Sequence, residues 1–366
     1  MRAIKRYLAA AGAVILTSVS LVFAGLGTAE AVAPSSYNIS GIDLHDGTIQ
    51  KFGDTYYMYG TEYGCGFNWG VSNTHWCGFG VSTSTDMQNW STPKLLFSPN
   101  EIDPWTGTTW VTECGSTGAG CFNPRVIQRT GWGNNDGVYI LWFNSPADTF
   151  RNGANAYNVM GGDTPTAFGP VDGGAHASYH KPSLYICADD GDFSLVARPG
   201  DTPVLLCSQG SIKTEAIDRY GANGTGYGTS KTIFPGSAEG EGAYYDPATG
   251  KYVMTFSDPQ CGYCNGTQAG YATTPDLVHG PWSVQADVGF GQPNNGRRTF
   301  SVNSCGGQPR TVFVVDGQPY EWIDIWTGSR NETSATVQIE ALSYTPHTSV
   351  PGRPWAPEVS PFECQS

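Results

Sequence analysis

EGAYYDPATGKYVMTFSD, residues Glu241–Asp258, reads as a strand, a turn and a second strand: aromatic and apolar residues alternate with small or polar ones on either side of an Asp-Pro-Ala-Thr-Gly turn. The same unit recurs along the chain as GTIQKFGDTYYMYGT from Gly47, NPRVIQRTGWGNNDGVYILWFNS from Asn123, DFSLVARPGDTPVLLCSQ from Asp192 and PRTVFVVDGQPYEWIDIW from Pro309. Each copy is followed by a second, more polar segment, beginning at Gly78, Ala156, Ile212, Ala269 and Ala335, that supplies further strands. One such unit cannot bury both of its faces, so five copies predict an all-β protein, a five-bladed β-propeller over residues 34–366. A sandwich or jelly roll would not demand five similar hairpins, and outside the N-terminal stretch no sustained 3.6-residue apolar period argues for helices.

The first 33 residues read differently. MRAIKR is followed by an apolar stretch from Leu8 to about Leu26 and by small residues at Ala29, Ala31 and Ala33, the order of a secretory signal peptide cleaved after Ala31 or Ala33. The ten cysteines all follow it, which in an exported chain predicts disulfides: Cys65/Cys77, Cys114/Cys121, Cys187/Cys207, Cys261/Cys264 and Cys305/Cys364. The Cys261-Gly-Tyr-Cys264 spacing has no second CxxC and no βα unit beside it, so a surface-loop disulfide is expected there rather than a redox or zinc site. A net charge of −13 makes nucleic acid and anionic membranes poor partners. With only 14% charged but 13% aromatic residues, the surface has rings to spare for flat sugar faces, and Trp69, Trp76, Trp110, Tyr244 and Trp326 are the candidates.

The first strand of every propeller blade lines the central channel, so residues at the start of each repeat converge on one axial pocket. Those residues are His45 and Asp46, Asn123 and Arg125, Asp192, Glu239 and Glu241, and Gln308 and Arg310. A ring of carboxylates, amides and guanidinium groups is what glycosidic hydrolysis needs, with one carboxyl protonating the leaving oxygen and another activating water or attacking carbon. Glu241, two residues after Glu239, is expected to share a pocket with Asp192, whose like charge raises the pKa of an acid; Asp46 stays ionised beside Arg125 or Arg310. Asp43 is the rival base from the same segment, and His45 is read as a hydrogen-bonding pocket residue.

Across nearly the whole region after the signal segment, these motifs resemble glycoside hydrolase family 43, the five-bladed propeller glycosidases. HDGTIQKFGDTYYMYGT resembles the family's first-blade motif, which places Asp46 as general base. GEGAYYDPATGKYVMTFS is similar to the Arg-Glu-Ala-Pro stretch that precedes a Gly-Lys-Tyr-Tyr turn, with a nine-residue step from Glu241 to Gly250, which places Glu241 as general acid. GDFSLVARPGDTPVLL resembles the third-blade motif whose Asp, here Asp192, orients the acid and modulates its pKa. NPRVIQR and the Gln308 of GGQPRTVF resemble the exo-β-1,3-galactanase branch, although Phe122 stands where that branch has Glu, and Asp46 is a residue the branch lacks. The resemblance implies a secreted, inverting hydrolase of galactan, arabinan or xylan side chains; the other readings are a retaining fructan-processing enzyme and a non-catalytic sugar-binding propeller. A carbohydrate is the expected partner and a monomer the expected state, no cofactor is required, and no structural calcium is indicated.

Overall fold

A computed structural model describes residues 36–103, 106–115, 119–145, 155–169, 181–188, 191–208, 211–229, 238–283, 298–346 and 358–364. The predicted signal segment, residues 1–33, lies outside the described residues. The chain starts with β1 (Ser36–Ile39) and continues into the first sheet, β2 (His45–Phe52), β3 (Thr55–Thr61), β4 (Phe79–Ser84) and β5 (Lys94–Leu95). A short helix, α1 (Trp110–Gly115), leads to the second sheet, β6 (Phe122–Gln128), β7 (Tyr139–Asn144), β8 (Tyr157–Thr164) and β9 (Ala167–Gly169). The third holds β10 (Phe193–Arg198), β11 (Asp201–Ser208) and β12 (Ile212–Ala216), and the fourth β13 (Glu239–Asp246), β14 (Lys251–Asp258), β15 (Gln268–Thr274) and β16 (Arg298–Ser301). The fifth is β17 (Gln308–Val315), β18 (Gln318–Ile325) and β19 (Thr336–Ala341), completed by β1, which pairs antiparallel with β19 from Ser36↔Glu340 to Ile39↔Val337.

The fold is therefore the five-bladed propeller that the repeat predicts, with the five polar segments supplying β4, β8, β12, β15 and β19. The first strands of the sheets touch in a closed ring: β2 packs beside β6, β6 beside β10, β10 beside β13, β13 beside β17 and β17 beside β2. Aromatic and β-branched residues on both faces of each sheet fill the gaps between blades. Tyr59, Phe79, Trp110 and Phe143 pack together between the first and second blades. Trp142, Tyr157, Phe193 and Leu205 do the same between the second and third. Leu44, Ile49, Trp322 and Ile339 join the fifth blade to the first. Burial on both faces explains why no blade is stable alone.

All five disulfides form as the cysteine spacing predicts. Among the described residues one trio has metal-ligand spacing, Cys305, Glu340 and Cys364, and its two sulfurs are joined to each other. Among the described residues no helix is long and apolar enough to cross a membrane.

Candidate active site

Where four of the five inner strands begin, their pairing is broken. The register with the second strand slips between His45 and Thr48, between Phe122 and Arg125, between Glu239 and Gly242, and between Pro309 and Thr311. A bulge re-aims the side chains beside it. Three of these bulges carry a left-handed residue, Asp46 at φ 48°, Asn123 at φ 56° and Gly240 at φ 61°, the region that disfavours side chains other than those of Gly, Asn and Asp.

These residues face a cavity of about 500 Å³ lined by Asp46, Asn123, Asp192, Glu239, Gln308 and Arg310, together with Asn144, the aromatic rings of Tyr63, Trp69, Phe122, Tyr263 and Trp326, and neighbouring main chain. Asp46 is buried, and its carboxylate accepts the N–H of Asn123 at 3.2 Å and that of Thr61 at 3.4 Å. Its own N–H donates to Asp324 Oδ2 at 2.9 Å, and the Arg125 guanidinium donates to the carbonyls of Asp46 and Gly47 at 2.7 and 2.9 Å. Asn123 Nδ2 donates to Asp192 Oδ1 at 2.9 Å, and Arg310 grips Asp192 with both terminal nitrogens, Nη1 to Oδ2 at 2.9 Å and Nη2 to Oδ1 at 3.0 Å. Such a two-pronged contact fixes the orientation of both partners.

Glu239 reaches the same cavity from the fourth blade. Its Oε1 accepts the Cys261 N–H and the Gln308 Nε2, each at 2.7 Å, and Trp326 Nε1 holds the other end of Gln308 at 2.7 Å. Glu241 is placed elsewhere: it is fully buried, is absent from the cavity lining, and its carboxyl meets no hydrogen bond of good geometry, with the Ser208 hydroxyl nearby. In a regular strand residues two apart share a face, but the slip sets Gly240 and Glu241 together against one residue of β14, Phe256, so Glu239 and Glu241 part company. Counting back from the turn glycine also assumes a turn of fixed length, and here Asp246 pairs with Lys251, leaving four residues in the turn.

Burial separates the two pocket acids in charge. It pushes Glu239 up to about 8, helped by the nearby Asp192 and opposed by Arg310, the Cys261 N–H and Gln308. It pushes Asp46 only to about 6, because Arg310 and the N–H donors of its carboxylate favour the ionised form against the push of Asp324. Near neutral pH the first is mostly a neutral acid and the second mostly a carboxylate.

Of the remaining candidates, Arg125 lies beneath the bulges and does not line the cavity, its charge weakened to about 10 by burial and the nearby Arg310 while Asp46 supports it. His45 is also buried below the cavity, with Nε2 3.4 Å from Asp43 and Nδ1 3.8 Å from Asp324; burial works against its charge, but these two carboxylates hold its pKa at about 9. Asp43, the rival base, is turned to the Tyr63 and Gly64 N–H groups at 2.7–3.0 Å and is not in the lining. Trp69 and Trp326 line the cavity, whereas Trp76, Trp110 and Tyr244 are core residues. Asp324 and Tyr263 carry no mark in the sequence reading: Asp324 sits on a second strand rather than a first, and Tyr263 lies inside the CxxC segment, a surface loop with Gly262 exposed that also forms part of the cavity wall.

No family model matches the chain, and no curated protein matches it. Solved structures do. An exo-β-1,3-galactanase of Clostridium thermocellum superposes with a TM-score of 0.61 at 16% identity over 85% of this chain and 63% of its own length. The exo-β-1,3-galactanase of Phanerochaete chrysosporium, solved with β-1,3-galactotriose, gives 0.59 at 17% identity over 84% of this chain and 64% of its own. A family 43 β-1,3-galactosidase solved with galactodeoxynojirimycin gives 0.61 at 15% identity over 83% of this chain and 91% of its own. The chain has the fold of the family 43 glycosidases. It spans just under two thirds of the fungal and clostridial galactanases, and at such identities it is the family 43 propeller that is shared. Within that propeller the cavity at the bulged strand ends brings acids of unlike protonation together with aromatic walls.

Proposed function

We propose that this chain is a secreted glycoside hydrolase that removes sugar units from galactan-type plant polysaccharide by inversion, with Glu239 as general acid and Asp46 as general base. One observation carries the reading: a mostly neutral carboxyl and a mostly ionised one open into the same aromatic-walled cavity from different blades. Its size, about 500 Å³, falls among pockets that enclose a small ligand, and the rings of Trp69, Tyr263 and Trp326 offer faces for the apolar side of a sugar. The galactan preference rests on what the fungal and clostridial propellers of the same fold act on. Export to an oxidising compartment is supported by the five disulfides and by the order of residues 1–33.

In this mechanism Glu239 gives its proton to the glycosidic oxygen as the bond to the anomeric carbon breaks. Asp46 takes a proton from the water that attacks the opposite face, which requires carboxyl groups roughly 6.5–9.5 Å apart. Asp192, clamped by Arg310, keeps negative charge beside Glu239 and so keeps its proton in place. Gln308 orients the acid by donating to it. Both carboxyls return to their starting states by exchanging a proton with solvent.

The purified protein is to be assayed on β-1,3-galactan, arabinan, arabinoxylan and aryl glycosides, following the first-formed anomer by proton NMR. Glu239→Gln and Asp46→Asn are each expected to lower turnover at least about a hundredfold with the fold intact, and Glu241→Gln to lower it far less. Full activity in Glu239→Gln, or a retained anomer, defeats this assignment; failure of the wild-type protein on every substrate defeats the hydrolase reading itself.

A further inference from the structure

The Cys261-Gly262-Tyr263-Cys264 segment is a disulfide-closed loop between β14 and β15, and Cys261, Gly262 and Tyr263 form part of the cavity wall. Its main chain is engaged with the acid. The Cys261 N–H donates to Glu239 Oε1 at 2.7 Å, and the Cys261 carbonyl accepts from Gln308 Nε2 at 2.8 Å. That same Nε2 donates to the same Oε1, so carboxyl, peptide and amide make one closed ring. Tyr263 has φ 55°, a left-handed conformation unfavourable for a bulky residue, which persists only where its surroundings over-determine it. Its hydroxyl meets that of Tyr63 at 2.8 Å, and its ring lies 4.8 Å from that of Trp326 and 5.3 Å from that of Trp69. The covalent bridge across it is a further restraint.

We propose that the Cys261–Cys264 bridge is a positioning device for the reaction: by closing the loop covalently it holds the Cys261 N–H on the Glu239 carboxyl and the Tyr263 ring in the cavity wall. The inference rests on the reading of Glu239 as the acid and deepens it. In this proposal both cysteines act through other groups, the Cys261 main chain and the Tyr263 ring. The charged and titratable groups facing Glu239 are Asp192 ahead of β10, Arg310 on β17 and Glu241 on its own strand. Among the contacts on Glu239, the Cys261 N–H works in the same direction as Arg310, favouring the carboxylate. With the loop released that donor is lost, and Glu239 keeps its proton to higher pH.

The test uses the full chain carrying C261S/C264S. The basic limb of its kcat/KM profile is expected to move up by about one pH unit, and kcat/KM at the optimum to fall about tenfold or more because the acid and the wall are no longer held in place. The titration of Glu239, followed by carbon-13 NMR of labelled glutamate with Glu239→Gln as the assignment blank, is expected to rise by the same amount. A folded double variant whose limb and NMR titration match wild type overturns the proposal. If Glu239→Gln proves fully active the hydrolytic assignment fails, yet the NMR titration still decides whether the bridge tunes this carboxyl. Should the double variant not fold, the native protein is opened at this bridge alone with a dithiol, checked by alkylation and mass spectrometry, and must show the same displacement. Tyr263→Phe keeps bridge and peptide but drops the hydroxyl contact, so its basic limb is expected to stay in place. A limb displaced as far as in C261S/C264S would put the effect in that contact instead and overturn the proposal.

Discussion

At the scale of single residues, catalysis by this site is a question of which carboxyl holds a proton. Asp46 must be ionised to accept one, so activity falls as pH drops through about 6, where its carboxylate is neutralised. Glu239 must be protonated to donate one, so activity falls as pH rises through about 8. The expected kcat/KM profile is a bell between those limits, measured on an aryl glycoside. Asp192 raises Glu239 by like charge, and Asp192→Asn removes that push while leaving Arg310 to favour the carboxylate. The basic limb in that variant is therefore expected to move to lower pH, and a limb that stays or rises places the titration elsewhere.

At the scale of elements, the bulges at the starts of the inner strands decide what the pocket contains. Their residue types are legible, since Asp46-Gly47, Asn123-Pro124 and Gly240 are the kinds of residue a bent strand start requires, but their effect on facing is not. A two-residue rhythm predicts that Glu239 and Glu241 point together; one extra residue between paired positions cancels it. Gly240 is where this is most exposed to test. Its φ is 61°, and a Cβ there would stand 2.2 Å from the Pro309 carbonyl oxygen on the adjacent inner strand. Gly240→Ala is expected to cost about 3 kcal/mol or more of stability by denaturant unfolding, and a cost under about 0.5 kcal/mol contradicts the tight approach of β13 to β17.

At the scale of the whole molecule, the ring is closed by two ends of the chain that share one sheet. β1 covers the edge of β19, and Ile39 joins the cluster of Leu44, Trp322 and Ile339 between the fifth and first blades. Without it β19 presents a bare edge and that cluster loses a wall. A chain shortened to begin at Gly41 is expected to melt at least about 5 °C lower and to associate on heating. An unchanged melting temperature shows that closure depends on the inner strands and the Cys305–Cys364 bridge instead.

Repetition of the hairpin, the local spacing of eight cysteines and the polar first residues of each repeat together determined the blade number, four disulfide pairs (and, by remainder, the fifth) and the place where acids gather, because strand period and closure of short loops are short-range properties of the chain. Which acid of the fourth blade opens into the cavity, that Asp324 of a second strand holds the Asp46 N–H, and that a CxxC loop lies against Glu239 were decided only by tertiary structure. Those facts depend on strand bulges and on contacts between blades up to 278 residues apart, and no local pattern encodes a distance of that kind.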